Sequence, residues 1–199
     1  MSGQINRGSA LGEMIFKLAS DKNYKSYLEI GTWNGEGSTM CFLDALLKRN
    51  DDWQFYSIES SLHFYEEATR FWGDSLPENA HLIHGRIIEN EDVFGLEELR
   101  AGEGFIPTYD IWHSNDVANY NTCENVEDTL LDFFDVVLFD GGEFSTYAEF
   151  LKLKDKLNIV ILDDTKELKT RKIKLVMEEE GWESIISSEE RNGFAAYKK

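Results

Sequence analysis

Apolar residues in this chain fall into two kinds of run. In one, Leu11, Met14, Ile15 and Leu18 recur at the spacing of a single helix face, which predicts an amphipathic helix near the start. In the other, short continuous runs end in a glycine or an acid: YLEIG at 27–31, WQFYSIES at 53–60, HLIHG at 81–85, FDVVLFDGG at 134–142 and IVILDD at 159–164. Unbroken runs rich in β-branched and aromatic residues suit strands buried on both faces, as in a parallel sheet. Helical segments separate them. Ser38 or Thr39 can cap a helix with Met40, Leu43, Leu46 and Leu47 on its inner face; another runs from about Ser61 to Trp72. TYAEFLKLKDKL is helical, and KELKTRKIKLVMEEEG is a helix stopped by Gly181. The closing stretch WESIISSEERNGFAAYKK reads as two strands about an Asn192-Gly193 turn. The fold class expected is α/β, with a doubly wound, mostly parallel sheet and an antiparallel C-terminal hairpin.

Residues 89–131 break the alternation. The stretch is acidic, has helical patches such as FGLEELR, and carries Trp112 and His113. A long excursion inside a compact domain is usually functional, so it is expected to be an inserted lid or substrate segment within one domain spanning 1–199. Cys41 and Cys123 form no C-x-x-C pair, which argues against a disulfide framework or a zinc ribbon and suits a reducing compartment. The N-terminus MSGQINRGS is polar, and no apolar run approaches the roughly 20 residues that span a bilayer. A soluble cytoplasmic protein without a membrane partner is expected. With 38 acids against 20 bases the formal net charge is −18, which repels phosphate backbones and makes nucleic acid a poor partner. The acids either serve solubility or collect where a cation binds.

In an open α/β sheet, ligands sit beyond the carboxyl ends of the strands. Those ends are Gly31, Glu59, Gly85, Asp140 and Asp163. The turn after the first strand, YLEIGTWNGEGST, does not suit a dinucleotide. Aligned on Gly35 and Gly37, the third glycine of G-x-G-x-x-G is replaced by Met40, and Glu36 sits where a pyrophosphate would rest. The Gly-Lys-Ser/Thr of a phosphate loop is absent. The turn reads as one built for a ligand without phosphates.

The pattern Glu29-x-Gly31-x-x-x-Gly35-x-Gly37 resembles motif I of the class I S-adenosylmethionine-dependent methyltransferases. Glu59 resembles the family's ribose-binding acid, Asp140 its fourth-strand acidic motif, and the closing hairpin its antiparallel seventh strand. The resemblance covers nearly the whole chain except 89–131. It implies a seven-stranded Rossmann-like fold and a cofactor site made by Glu29, Gly31, Thr32, Gly35, Gly37, Ser38, Glu59, Ser60, Gly85, Arg86 and Asp140. Gly31, Gly35 and Gly37 would admit the methionyl part and ribose, and Ser38 would reach the methionine carboxylate. Gly85 and Arg86 would border the adenine, unless Arg86 is a surface ion pair. A sulfonium and an ammonium fit an acidic cleft.

FDGGEFSTY and ILDDT further resemble the magnesium-dependent sugar O-methyltransferases that act on macrolide and aminocoumarin sugars, and their glycan-associated relatives. That resemblance implies a divalent cation, Mg²⁺ by preference, held by Asp140, Asp163 and Asp164 and gripping a sugar diol. The base of those enzymes is an acid two residues after the first metal aspartate. Gly142 stands there, so Glu143 becomes the candidate base, with His113 in reserve and Asp140 beside the reacting hydroxyl. The family's Pro-Gly-Gly before the fifth strand is replaced by KDKLN. The function expected is O-methylation of a sugar hydroxyl, on a glycan or another small-molecule acceptor, by a chain free to form a homo-oligomer. The alternatives are a nucleotide-sugar or nicotinamide enzyme on a similar sheet, and a non-catalytic adenosyl-binding module.

Overall fold

The computed structural model describes residues 5–100 and 105–199. Five strands run parallel: β1 (Ser26–Ile30), β2 (Gln54–Glu59), β3 (Ala80–His84), β4 (Phe134–Phe139) and β5 (Leu157–Asp163). An antiparallel hairpin, β6 (Glu183–Ser188) and β7 (Phe194–Lys198), follows, with β7 inserted beside β5. The sheet order is β3-β2-β1-β4-β5-β7-β6. Chain direction diverges between β1 and β4, and that switch point opens a crevice over the strand tips.

Each inner strand is buried on both faces because its successive residues feed two different cores. Leu28, Ile30, Val137, Phe139, Val160 and Leu162 face one; Tyr27, Phe55, Val136, Leu138, Ile159 and Ile161 face the other. The second core is closed by α1 (Ala10–Ser20) and α2 (Ser38–Leu46), through Leu11, Ile15, Phe42, Leu43 and Leu46. The first is closed by α6 (Thr146–Leu153) and α7 (Leu168–Glu179), through Phe150, Leu153, Ile173 and Met177. The helix α3 (Leu62–Trp72) follows β2. Ser9 caps α1 as its hydroxyl accepts from the Gly12 N–H at 3.1 Å.

Two local expectations need correcting. Gly37, not Ser38 or Thr39, is the N-cap of α2; both hydroxyl residues lie in the first turn, and Thr39 Oγ1 instead donates to the buried carboxylate of Glu29 at 2.6 Å. The hairpin loop is longer than a two-residue Asn-Gly turn. Ser188 pairs with Phe194, with Arg191 and Gly193 between them at φ 57° and 82°. The Gly193 and Asn192 carbonyls accept from the N–H groups of Thr165 and Lys166, each at 3.0 Å, which holds the loop against the end of β5.

The 89–131 segment contains α4 (Leu96–Arg100) and α5 (Thr108–Thr122); residues 101–104 lie outside the described residues. Much of it belongs to the core. Val93, Tyr109, Tyr120 and Val126 pack in the first core cluster, and the backbone of Arg86 pairs with Glu124 and Val126 at 2.9 and 2.8 Å.

Candidate active site

A cavity of about 1050 Å³ lies over the tips of β1, β2 and β4. Gly31 makes it possible. It has φ 98°, and a Cβ there would run into the Asp140 carbonyl, so the tips of β1 and β4 approach only with glycine at this place. Next to it, Trp33 adopts φ 50°, costly for a bulky residue, which turns its N–H onto Glu59 Oε2 at 2.8 Å. Glu59 Oε1 accepts from the Ser61 N–H at 2.8 Å. The carboxylate at the tip of β2 is thus held in one orientation at the cavity wall, with lone pairs to spare.

The cavity gathers Gly31, Thr32, Gly37, Ser38, Glu59, Ser60, Gly85, Asp140, Glu143 and Asp164 from the expected set. Five expected residues lie elsewhere, among them Asp163, which is buried at the end of β5. Glu29 is fully buried beneath the turn, where Thr39 and Ser57 donate to its Oε2. Gly35 has φ 80° and is closed off by Trp72, whose indole N–H donates to its carbonyl at 3.1 Å. The Arg86 guanidinium is spent on the carbonyls of Tyr120 and Ile88 and on Glu89, so it ties the excursion to β3 and does not reach the adenine place. His113 packs edge-on against Phe144, with ring centroids 5.1 Å apart, and is absent from the lining. Glu36 is also exposed and outside the cavity, so its charge is not what excludes phosphate.

The lining itself excludes it better. Among the described residues, seven acids face the cavity against one base, Lys169. Burial pushes Glu59 up to about 6 and Glu143 and Glu149 up to about 7. Glu149 receives the Tyr120 hydroxyl on one oxygen, while its other oxygen is buried with no hydrogen-bond partner among the described residues. A buried orphan acceptor beside a cavity suits a ligand that brings donors.

Several contributors were missed in the sequence. Trp112, Asn115, Asp116 and Asn119 follow i, i+3, i+4, i+7 spacing, and this face of α5 lines the cavity. The spacing was there to find. It reads equally as a solvent face, and only the fold tells the two apart.

Asp140, Asp163 and Asp164 do converge, each offering an oxygen within 4.8 Å of the others. They hold two cations of the chain's own. Lys169 Nζ lies 2.5 Å from Asp140 Oδ1 and 3.1 Å from Asp164 Oδ2, and an Arg191 nitrogen lies 3.4 Å from Asp163 Oδ2. Burial alone would lower the Lys169 pKa; Asp140 and Asp164 outweigh it and hold the ammonium protonated. The carboxylate of Glu143 accepts from the Lys169 backbone N–H at 3.2 Å, at the start of α7.

These carboxyl groups set the pH dependence of stability. Glu29 and Glu149 are pushed by burial from 4.5 to about 7, and Glu59 to about 6. An acid whose pKa rises on folding holds its proton better in the folded chain. Its stabilisation is present below 4.5 and is lost as pH rises through about 6 to 7. Self-repulsion from a net charge of −18 acts in the same direction. The melting temperature is expected to be about 5 °C or more higher at pH 6 than at pH 8. A scan showing the opposite order would mean that these groups are charged in the folded protein.

No protein-family model matches the sequence, and no curated protein matches it. Solved structures do. An O-methyltransferase from Bacillus cereus in complex with S-adenosylhomocysteine aligns over 100% of this chain and 84% of its own, with TM-score 0.64 at 13% identity. A methyltransferase from Geobacter sulfurreducens aligns over 98% and 80%, with TM-score 0.62 at 14% identity. An S-adenosylhomocysteine-bound methyltransferase from Podospora anserina aligns over 94% and 76%, with TM-score 0.59 at 15% identity. The strand order, the antiparallel closing hairpin and the crevice at the switch point give the chain the Rossmann-like methyltransferase fold of these structures. Among the described residues no helix is long and apolar enough to cross a membrane.

Proposed function

We propose that this protein is an S-adenosylmethionine-dependent O-methyltransferase acting on a sugar hydroxyl, in a glycan or a glycosylated small molecule. The observation that carries the cofactor assignment is Glu59, fixed by two backbone N–H groups at the tip of β2 on a cavity that, among the described residues, carries seven acids and one base, Lys169, which is paired with Asp140 and Asp164. The cofactor supplies an electrophilic methyl group on a cationic sulfur. The chain supplies the rest. Glu59 accepts from the ribose hydroxyls, the backbone at Gly31 and Ser38 borders the methionyl part, and the orphan oxygen of Glu149 accepts from a ligand N–H or O–H.

A sugar acceptor is favoured by the α5 face. Trp112 offers an apolar platform for the C–H face of a pyranose, while Asn115 and Asn119 both donate and accept hydrogen bonds, as a polyol requires. The segment 89–131 then acts as the acceptor wall. Glu143, raised by burial to about 7 and oriented by the N–H at the start of α7, is placed to take the hydroxyl proton near neutral pH. Positioning and electrostatic support account for the remainder of the acceleration. The magnesium ion that the sequence resemblance implies fits the residues poorly, because Lys169 and Arg191 already pair with all three aspartates. No step is routed through it.

The test is turnover. Incubation with S-adenosylmethionine and a panel of glycosides is expected to add one methyl group, as an ether that survives mild base. Cofactor binding with no transfer to any hydroxyl acceptor would favour a non-catalytic module. Quenching of NADH fluorescence by the protein would favour a nicotinamide enzyme.

A further inference from the structure

The geometry points to Lys169 as a built-in cation that takes the place of a divalent metal among Asp140, Asp163 and Asp164 and presents an N–H to the acceptor oxygen. The three aspartates stand at the tips of β4 and β5, each with an oxygen within 4.8 Å of the others. Without a cation, three carboxylates at that spacing repel one another strongly. Lys169 reaches into the cluster from the first turn of α7. Its side chain is only 10% exposed, and its ammonium lies 2.5 Å from Asp140 and 3.1 Å from Asp164. Asp163, with its side chain 4% exposed, is paired instead with Arg191 from the hairpin loop, at 3.4 Å. Two cations from the chain therefore balance all but one of the three negative charges.

Magnesium needs oxygens about 2.0–2.1 Å from the ion in an octahedron, and an ammonium seated among the same carboxylates opposes a second cation there by its charge and by the space it fills. The ammonium also has three donors. Two are used on Asp140 and Asp164, and the third belongs to a side chain that lines the cavity beside Glu143. There it can donate to the acceptor oxygen as Glu143 removes the proton, supporting the charge that develops during methyl transfer. Asp164 contributes through its backbone: at φ 55° the chain turns sharply after β5, which brings Asp164 back beside Asp140. This catalytic role rests on the proposed methyl transfer. The cation assignment does not.

Manganese binding, followed by electron paramagnetic resonance on the full chain, tests the cation assignment without any turnover. The wild type and Lys169→Arg are expected to leave added Mn²⁺ free, and Lys169→Met to bind it at least tenfold more tightly, because the carboxylates lose their internal partner. Equal affinity in wild type and Lys169→Met, whether tight or undetectable, overturns the assignment. If Lys169→Met does not fold, the wild type decides. Micromolar Mn²⁺ binding overturns the assignment, and free Mn²⁺ at millimolar concentration supports it. For the catalytic part, methyl transfer by the wild type is expected to be unchanged within twofold in EDTA. Lys169→Met should lower kcat at least a hundredfold, with little change in S-adenosylhomocysteine affinity. Loss of wild-type activity in EDTA, restored by Mg²⁺, overturns it. Absence of transfer with or without metal speaks against the methyltransferase reading and leaves the manganese result standing.

Discussion

Glu59→Ala is expected to weaken S-adenosylhomocysteine binding at least about 100-fold, the largest effect on binding of any single change in the cavity. A hydrogen bond to a charged group contributes about 1.5–3 kcal/mol, and a ribose diol forms two with one carboxylate. The alanine also frees the N–H groups of Trp33 and Ser61, which the carboxylate now holds at 2.8 Å each. Trp33 stays in its left-handed conformation at φ 50° partly through that bond, so its release loosens the cavity wall as well. Glu59→Gln keeps the shape but turns one acceptor into a donor, and should fall between the two. Calorimetry on the three proteins, each checked for a native circular dichroism spectrum, reads the series. Equal affinities would show that the acid at the tip of β2 does not touch the ligand.

The largest loss of stability is expected from Gly31→Ala. The residue has φ 98°, where a side chain is strained by about 1–3 kcal/mol. Its Cβ would also press on the backbone carbonyl of Asp140, which cannot rotate away as a flexible side chain could. Overpacking of this kind costs about 1–3 kcal/mol more. Together these predict about 4 kcal/mol and a fall in melting temperature of about 10 °C. Gly95→Ala is the control, because a Cβ there meets nothing within 4 Å. It should change stability by less than about 0.5 kcal/mol. If the two substitutions behaved alike, the close approach of β1 and β4 would not be what Gly31 provides.

The strands were legible because parallel strands covered on both faces leave an unbroken apolar signature, as in FDVVLF and IVILD. The acids at their tips were legible for the same reason: a charge that ends a buried run marks where the strand meets solvent or a ligand. What such an acid does there was not legible. Glu29 and Glu59 both stand near the end of a strand, Glu29 one residue inside it, yet one lies under the turn, paired with Thr39 and Ser57, and the other lines the cavity. Both leave the same face of the sheet, because Glu29 pairs with Ser57 and Glu59 lies two residues beyond it. The difference is set by depth along the strand, and by side chains far away in sequence. Arg86 misled similarly. It follows a strand tip, but carbonyls of the excursion, including that of Tyr120 34 residues later, claim its guanidinium. Lys169 carried no signal in sequence, since a lysine at a helix start usually points to solvent. Only the packing of α7 against the tip of β4 places it between Asp140 and Asp164.

The central claim is that the cavity over β1, β2 and β4 receives an adenosyl cofactor without phosphates. Titration calorimetry of the wild-type chain with S-adenosylhomocysteine tests it most directly. One site per chain with a micromolar Kd is predicted, with no heat from NADH or ATP at the same concentrations. Binding of NADH or ATP in place of S-adenosylhomocysteine, or no binding of S-adenosylhomocysteine at millimolar concentration by folded protein, would contradict it.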